Sequence, residues 1–311
     1  MSYISVIDLK TQYSTSAGIV HAVDGVSFSL EKGESIGIAG ESACGKSTLG
    51  LSMMRTLQGG KIISGDILLE EKSIIKVSES EFAKNYRWKE ISMVFQGAMN
   101  SLDPVFTVEY QFHEILKQHR YTGDYNKRIV EAISSVGLDS AVLKKFPHEL
   151  SGGMKQRIVI AIALLLNPKF VIADEPTTAL DLLVQAQIIN LLKKLKKDGM
   201  SFMLITHDLA IISEIAEKIG VMYGGKMVEF GSSSEVYKDP KHPYTQGLLQ
   251  SIPSLKENKK PGYIKGNPPP LINPTQGCRF YDRCPHVMEK CKKEPPKIKT
   301  NSGYVLCWLY E

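Results

Sequence analysis

Two continuous apolar runs, each followed by turn formers or acids, predict buried strands. One covers residues 35–39, "SIGIA", and a glycine turn leads from it into helical spacing at about Lys46. The other covers residues 170–173, "FVIA", and two acidic residues follow it. Apolar runs of roughly four to eight residues between turn signals are typical of buried strands. The pattern predicts an α/β fold in which chemistry lies at strand ends.

A helical pattern follows a predicted turn at residues 103–104, Asp-Pro. Val108, Phe112, Ile115 and Leu116 recur at intervals that place them on one face of a helix. That apolar face is either ordinary core or a groove that receives a partner helix.

The composition is that of an ordinary globular protein. The chain has 311 residues, of which 43% are hydrophobic and 23% are charged, which suits one large domain or two smaller ones. No apolar run approaches the roughly 20 residues of a membrane helix, and the start, MSYISVIDLK, lacks a secretory layout. We therefore expect an intracellular protein, where cysteines are more often metal ligands or catalytic thiols than disulfides.

The net charge of +5 is concentrated near the C-terminus. Residues 255–311 contain 11 Lys and Arg against 5 Asp and Glu, so this segment is at +6 and the rest is near neutral. Such a tail is either a solvated polar segment or a surface for nucleic acid or anionic lipid.

The first motif that carries chemistry is the loop "GESACGKST". It fits G-x-x-x-x-G-K-[ST] between a predicted strand and helix. Main-chain N–H groups of such a loop cradle phosphate oxygens, the lysine adds a positive charge, and the hydroxyl after it ligates Mg²⁺. A glycine turn with an incidental lysine is the alternative. The predicted nucleotide contacts are Gly40, Ser42, Ala43, Cys44, Gly45, Lys46, Ser47 and Thr48, with Ser47 as a Mg²⁺ ligand.

Ala43 and Cys44 stand where glycine and serine are usual in this motif. Because the cradle uses main-chain donors, both residues can serve if the backbone keeps its shape. A thiol beside a helix N-terminus is expected to have a lowered pKa. A redox role for Cys44 and a neutral substitution are the two interpretations.

Two acids follow the second strand in "FVIADEPTTALD". Asp174 is predicted to hold Mg²⁺, and Glu175 to act as the general base that polarises the attacking water. Adjacent acids after a buried strand are costly unless a cation or proton offsets them. A plain acidic pair at a helix N-terminus is the alternative.

The stretch "LSGGMKQR" lies between the loop and the acidic pair. Ser151, Gly152 and Gly153 are predicted to begin a helix whose free N–H groups form another anion site. An ordinary serine N-cap with a glycine turn is the alternative. In this order, the three motifs resemble the nucleotide-binding domain of ATP-binding-cassette (ABC) proteins, over about residues 6–235.

The resemblance implies further roles. Gln96 in "MVFQ" resembles the glutamine that contacts Mg²⁺ and links to the membrane partner. Asp181 in "TALD" resembles the D-loop aspartate, and His207 in "LITHD" resembles the switch histidine that touches the γ-phosphate. Tyr13 stands where an aromatic residue stacks on adenine, although a tyrosine at a strand end often only packs.

The family works as a head-to-tail pair with two ATP molecules between the domains, so one chain supplies half of each site. Residues 151–153 of one domain then contact the γ-phosphate held by the other. Both Glu175 and His207 are present, which implies an ATPase. A regulatory subunit without hydrolysis and a soluble ABC ATPase acting on ribosomes or nucleic acid are the alternatives.

The stretch after the cassette, "KDPKHPYTQGLL", resembles the ATP-binding subunits of the oligopeptide/dipeptide-permease group of importers. Members of that group carry D-P-x-H-P-Y-T-x-x-L, then a proline-rich link and a cysteine-bearing tail. The matching residues are Asp239, Pro240, His242, Pro243, Tyr244, Thr245 and Leu248.

The group implies the partners and the location. They are a second ABC ATPase subunit, expected to be a homologous but different chain, two transmembrane permease subunits, and an extracytoplasmic solute-binding protein, with no nucleic acid. The chain would lie peripherally on the cytoplasmic face of the cell membrane. The cargo stays open among di- and oligopeptides, nickel, glutathione and oligosaccharides, because the ATPase does not touch it. The region of residues 97–166 is expected to provide the groove for a cytoplasmic helix of a membrane subunit.

Four cysteines, Cys278, Cys284, Cys291 and Cys307, lie in the tail at gaps of 5, 6 and 15 residues. Four thiolates can hold zinc or an iron–sulfur cluster, and neither short gap fits a zinc knuckle. The permease group carries a C-x₅-C-x₆-C tail that ligates a [4Fe–4S] cluster, so the resemblance implies this cluster. Zinc, with His286 as an alternative ligand, and a tail without metal or with disulfides stay open. A polar tail with little core would gain folding energy from a metal.

The expected architecture is therefore an ABC-type α/β fold. It has a RecA-like core, an antiparallel β part and a helical subdomain, followed by a small cysteine-rich extension. We place the nucleotide-binding domain at residues 1–235, with its helical subdomain at 97–166, and the extension at 236–311. The expected cofactors are ATP, Mg²⁺ and the [4Fe–4S] cluster, with zinc as the alternative to the cluster.

Overall fold

The computed structural model describes residues 2–251 and 262–311, and it divides into two compact units. The first unit comprises Met1–Ile75 and Leu204–Glu311, and the second comprises Lys76–Met203. Residues 252–261, which contribute part of the predicted basic tail, lie outside the described residues.

The first unit is built mainly of strands. Its N-terminal part contains β1 (Ile4–Thr15), β2 (Gly18–Leu30), β3 (Ile36–Ala39), α1 (Lys46–Met54), β4 (Gly60–Leu69) and β5 (Lys72–Ser73). Its C-terminal part follows the second unit in the chain. It contains α7 (Leu209–Ile215), β9 (Lys218–Tyr223), β10 (Lys226–Ser232), α8 (Ser233–Lys238), α9 (Pro243–Gln250), β11 (Lys297–Lys299) and β12 (Tyr304–Leu306).

Two sheets organise this unit. One is antiparallel, in the order β2-β1-β4-β5, and the other runs β11-β12-β10-β9-β3. In the second sheet β3 and β9 are parallel, while β9, β10, β12 and β11 pair antiparallel. The two sheets contact each other through aromatic rings. The ring centroid of Phe230 in β10 lies 6.4 Å from that of Phe28 in β2 and 5.8 Å from that of Tyr304 in β12.

The second unit is richer in helix. It contains α2 (Glu79–Asn85), β6 (Ile91–Val94), α3 (Val108–Gln118), α4 (Tyr125–Ser135), α5 (Gly152–Ala163), β7 (Phe170–Asp174), α6 (Leu182–Lys197) and the first part of β8 (Ser201–Ile205). Its strands lie in the order β8-β7-β6, with β6 and β7 parallel. The predicted α/β class is confirmed.

The elements predicted around the motifs are also confirmed. The strands at residues 35–39 and 170–173 are β3 and β7, which are buried along their length, and the helices predicted near Lys46 and Ser151 are α1 and α5. Continuous apolar runs form these strands because both faces of the sheet are covered.

The apolar face of α3 is core, so this face does not form the groove expected within residues 97–166, and a groove elsewhere in that region stays a prediction. Val108, Phe112 and Leu116 are fully buried, whereas Ile115 is half-buried. The exposed apolar side chains of this region come from the turn before the helix and its first turn, and they are Val105, Phe106 and Tyr110.

The C-terminal tail shares the core of the first unit. Strand β12 extends the mixed sheet by pairing with β10, at Glu229 to Val305. Phe280 is 2% exposed, and its ring centroid lies 5.2 Å from that of Tyr223 and 5.5 Å from that of Tyr244. The tail was expected to have little core of its own, and its apolar residues instead complete a core that the cassette supplies.

This packing predicts the cost of removing Phe280. The Phe280→Ala variant should lower the free energy of unfolding of the first unit by about 3–5 kcal/mol, because it leaves a cavity beside the rings of Tyr223 and Tyr244. Urea unfolding followed by tyrosine fluorescence measures this loss. Tyr263→Ala is the control, since Tyr263 is 77% exposed. A loss for Phe280→Ala that is no larger than that of the control would contradict the packing argument.

Candidate nucleotide site

The loop between β3 and α1 has a backbone that only glycine adopts easily at two positions. Gly40 and Gly45 have φ of 150° and 103°. A Cβ at Gly40 would lie 2.2 Å from the Met222 carbonyl oxygen, and one at Gly45 would lie 2.0 Å from the Ala22 carbonyl oxygen. The loop is thus pressed against two neighbouring segments of the first unit, and its shape depends on both glycines.

Ala43 and Cys44 keep this shape at a small cost. Ala43 adopts a left-handed φ of 61°, which costs a non-glycine residue about 1 kcal/mol. Cys44 is 3% exposed, and its Sγ lies 3.8 Å from Lys46 Nζ. Burial raises the pKa of the Cys44 thiol, and the Lys46 ammonium offsets this only in part. The expectation of a lowered thiol pKa is therefore wrong, because burial outweighs the lysine and the helix terminus.

Lys46 is held by the loop itself. Its Nζ donates hydrogen bonds of 2.8 Å to the carbonyl oxygens of Gly40 and Glu41, and the residue is 6% exposed. The N-cap of α1, Gly45, offers no side-chain acceptor to the first-turn N–H groups of the helix. Three features favour an anion at this loop: the cradle formed by its glycines, the buried ammonium group of Lys46, and the uncapped start of α1. Ser47 and Thr48 are half-buried in the first turn of α1, and Ser42 is exposed on the loop.

His207 lies at the same end of the sheet as the loop between β3 and α1. The Thr206 N–H donates to the carbonyl oxygen of Ile38 at 3.2 Å, beside the end of β3. His207 is exposed, and Asp208 caps α7 by accepting the Ala210 N–H at 2.8 Å. The first unit thus brings the histidine and the loop to one edge of the sheet.

Tyr13 packs across the antiparallel sheet. It pairs with Val20 and Gly60, and a Cβ on Gly60 would lie 2.6 Å from the tyrosine ring. The half-buried ring covers this glycine. In this structure the tyrosine therefore has the packing role that is common for a tyrosine at a strand end.

In the second unit, Gln96 and Glu175 are in contact. The Gln96 Nε2 donates to Glu175 Oε2 at 3.1 Å, and Thr178 Oγ1 donates to the same oxygen at 2.8 Å. Glu175 has a left-handed φ of 46°, and Asp174 before it is 3% exposed at the end of β7. The sequence did not indicate Thr178, whose hydroxyl helps to orient this carboxylate.

The N-termini of α5 and α6 also lie together in the second unit. Ser151 caps α5 by accepting the Met154 N–H at 3.3 Å, and Asp181 caps α6 by accepting the Val184 N–H at 2.9 Å. A Cβ at Gly153 would lie 2.7 Å from the Val184 side chain, whereas one at Gly152 would be at ordinary contact distance from its neighbours. Gly153 is therefore needed for the close approach of these helix starts.

The four tail cysteines lie in one region of the first unit. Cys291 and Cys307 are buried, Cys278 and Cys284 are half-buried, and the Cys278 N–H donates to the Cys291 carbonyl oxygen at 2.9 Å. Burial, together with the charges of the other three thiols, raises the pKa of Cys278 to about 12, although the Phe280 N–H opposes this. Within residues 2–251 and 262–311 all five cysteines are free, so the disulfide alternative is not supported. The same residues contain no group of three or more His, Cys, Asp or Glu side chains arranged to hold a metal ion.

Contacts that the sequence did not indicate connect the tail with the phosphate loop. Glu41, the second residue of the loop, forms an ion pair of 2.8 Å with Arg283, and its N–H donates to Tyr244 Oη at 2.9 Å. Tyr244 belongs to the "HPYT" stretch, whose motif is visible in the sequence but whose contact with the loop is not. In the part of the chain described, no helix combines the length and apolarity needed to cross a membrane.

The sequence matches two families of known proteins, and its relatives include transport ATP-binding proteins. The ABC transporter family matches residues 23–178, and the family "Oligopeptide/dipeptide transporter, C-terminal region" matches residues 228–291. The chain is 45% identical to the oligopeptide transport ATP-binding protein AppD of Bacillus subtilis, over 99% of this chain and 97% of that protein. It is 42% identical to OppD of Escherichia coli, over 96% and 90%.

Solved structures agree with this. The dimeric post-hydrolysis structure of the ATP-binding cassette MJ0796 bound to ADP and Pi superimposes with a TM-score of 0.66 at 28% identity, covering 74% of this chain and 98% of that one. CbiO1 of Clostridium perfringens, part of an ABC transporter complex, gives 0.64 at 30% identity, covering 76% and 91%. The fold is thus that of an ABC ATPase cassette with mixed α/β sheets, and the chain belongs to the ABC transporter family, among its oligopeptide and dipeptide transport ATP-binding proteins.

Proposed function

We propose that this chain is the ATP-hydrolysing subunit of an importer for di- or oligopeptides, or for a related solute such as nickel, glutathione or an oligosaccharide. The observation that carries the proposal is full-length similarity to proteins named for oligopeptide and dipeptide transport, with a match that extends through residues 228–291. Action on ribosomes or nucleic acid is not favoured, because these relatives are transport subunits.

The nucleotide chemistry is assigned to the residues of the family motifs. The glycine cradle, the buried Lys46 and the uncapped start of α1 fit a polyphosphate. Ser47, Gln96 and Asp174 are the residues that would hold Mg²⁺, and the ion would neutralise charge on the transferred phosphoryl group. Residues 151–153 are assigned to the γ-phosphate held by a partner chain, Asp181 to the nucleotide site as the D-loop aspartate, and Tyr13 to the adenine.

Glu175 is the proposed general base. Its Oε2 accepts hydrogen bonds from Gln96 and Thr178, which fixes the direction of the carboxylate. A carboxylate held in this way can take a proton from an attacking water. His207 is assigned to the γ-phosphate, and its exposed position next to the capped start of α7 leaves the ring accessible.

The assembly requires a second ATPase, because one chain carries one phosphate loop and one "LSGGM" stretch. We propose a homologous but different ATPase chain, two transmembrane permease subunits and an extracytoplasmic solute-binding protein, with this chain peripheral on the cytoplasmic face. The dimer of the cassette MJ0796 supports a paired arrangement. The proposed surface for a permease helix is the exposed set Val105, Phe106 and Tyr110, in which the Phe106 and Tyr110 rings stack at 4.3 Å.

The tail cysteines are proposed to hold a [4Fe–4S] cluster. The main-chain N–H groups of Phe280, His286 and Leu309 lower the pKa of the thiols of Cys278, Cys284 and Cys307, respectively, against the effect of burial. Hydrogen bonds to sulfur stabilise thiolate ligands of such clusters. This support comes from the surroundings of the thiols, since no closed ligand set is formed in the described residues.

The ATPase proposal predicts the effect of removing the base. In the assembled complex, Glu175→Gln should lower the hydrolysis rate by about 100-fold or more while ATP still binds, because the amide cannot take a proton. Phosphate release and nucleotide binding measure the two effects. Glu131→Gln is the matched control, as Glu131 lies in the same unit in an exposed ion pair with Arg128. Hydrolysis by Glu175→Gln at the control rate would favour a regulatory subunit.

The cluster proposal predicts a visible spectrum. Protein purified without oxygen should show a broad absorption band near about 400 nm and contain about four irons with matching sulfide. The variant with serine at residues 278, 284, 291 and 307 should lose the iron. Cys44→Ser should keep it, because Cys44 is buried in the phosphate loop. Zinc alone, or a colourless metal-free protein, would overturn the cluster.

A further inference from the structure

One side chain of the phosphate loop is directed at the C-terminal extension. The Glu41 carboxylate receives two parallel hydrogen bonds from Arg283, from Nη1 to Oε2 at 2.8 Å and from Nη2 to Oε1 at 3.0 Å. The Glu41 N–H donates to Tyr244 Oη at 2.9 Å. Both the main chain and the side chain of this loop residue are therefore held by residues that follow the cassette.

Arg283 has no unused donor in this arrangement. Besides the Glu41 pair, Nε donates to the Lys265 carbonyl oxygen at 2.9 Å, Nη1 to Tyr223 Oη at 3.1 Å, and Nη2 to the Ile264 carbonyl oxygen at 3.2 Å. These contacts account for all five guanidinium N–H groups. The side chain is 6% exposed, so the fork is fixed by its surroundings. A lysine could supply the charge but could not reproduce the two parallel bonds.

The tyrosine that receives the Glu41 N–H is equally constrained. Tyr244 is fully buried, and its ring centroid lies 4.5 Å from that of Tyr223. The buried Glu229 carboxylate fixes the start of its helix by accepting the N–H groups of Lys241 at 2.7 Å and His242 at 2.9 Å. Burial lowers the pKa of His242 to about 3, so its neutral ring accepts the Tyr244 N–H through Nδ1.

A carboxylate in a loop that must accept a polyphosphate is an electrostatic problem. Left uncompensated, its charge would oppose the anion, and the force would be strong because the loop is partly buried. The Arg283 guanidinium neutralises this charge from the side of the extension. It also restrains the loop between Gly40, whose carbonyl accepts from Lys46, and the start of the helix.

We infer that Arg283 is a positioning residue for ATP, which acts through Glu41 by neutralising the loop carboxylate and holding the loop in its binding shape. The inference rests on the proposed nucleotide site at residues 40–47. Arg283 ends the short helical turn Tyr281–Arg283 directly before Cys284. The fold of the cysteine segment therefore determines where the guanidinium lies, and the extension becomes a second support of the nucleotide site.

The experiment measures Mg·ATP affinity of the full chain by titration calorimetry at low and high salt. Arg283→Gln should weaken binding by about 10-fold, and Arg283→Lys by about 3-fold, because the lysine keeps only the charge. Adding Glu41→Gln to Arg283→Gln should recover most of the loss, since the uncompensated carboxylate is then gone. High salt should reduce the defect of Arg283→Gln.

The matched control is Arg279→Gln. Arg279 is also a buried arginine of the tail and forms a 2.6 Å ion pair with Asp24, but it does not contact the loop carboxylate. The Mg·ATP affinity of Arg279→Gln should stay within about twofold of the wild-type affinity. Circular dichroism checks that each variant is folded. In the assembled complex, Arg283→Gln should raise the KM for ATP more than it lowers kcat.

Two failures are distinguishable. If Lys46→Ala binds ATP as wild type does, the proposed nucleotide site is wrong and the inference falls with it. If Lys46→Ala abolishes binding but Arg283→Gln matches Arg279→Gln, only the positioning role is overturned. Should Arg283→Gln not fold, Arg283→Lys and its double variant with Glu41→Gln replace it. Arg283→Lys that binds Mg·ATP as tightly as Arg279→Gln would then overturn the role.

Discussion

To hold the proposed nucleotide, the loop at residues 40–47 must turn several main-chain N–H groups toward one anion, and most of what surrounds it follows from that requirement. Such a turn needs left-handed backbone at Gly40 and Gly45, and the carbonyls of Met222 and Ala22 leave no space for a side chain there. Main-chain donors do not depend on residue type. This is why the loop tolerates Ala43 and Cys44 at positions where glycine and serine are usual.

The charged side chains of the loop find their partners within the first unit. Lys46 is buried with its ammonium on two loop carbonyls, and Glu41 is neutralised by Arg283. A buried charge is tolerated only when it is paired and hydrogen-bonded. The extension that distinguishes this chain from a bare cassette therefore contributes to the loop as well as to the cysteine segment. Its sheet pairing and its aromatic contacts with Tyr223 provide the rigidity that such a role requires.

At the acidic end of β7, a carboxylate is oriented by neutral side chains and a strained backbone, whereas the carboxylate of the phosphate loop is paired with an arginine. Glu175 has a left-handed backbone conformation and is held by Gln96 and Thr178. Strain of about 1–3 kcal/mol at such a position is typical of functional sites, where the surrounding structure over-determines the geometry. The helix starts at Ser151 and Asp181 use ordinary side-chain caps. The same residues can therefore stabilise a helix locally and belong to an anion site in an assembly.

The sequence by itself determined the α/β class, the strands and helices around each motif, and the family, because short apolar runs, glycine spacing and a signature stretch are local signals. It did not determine that the face of α3 with Val108 and Phe112 is core, that burial raises the pKa of Cys44, or that Arg283 and Glu41 are partners. Burial and long-range pairing were decided by the tertiary structure. Residues 41 and 283 are far apart in the chain, and only the packing of the extension onto β9 and β10 brings a guanidinium to a loop carboxylate.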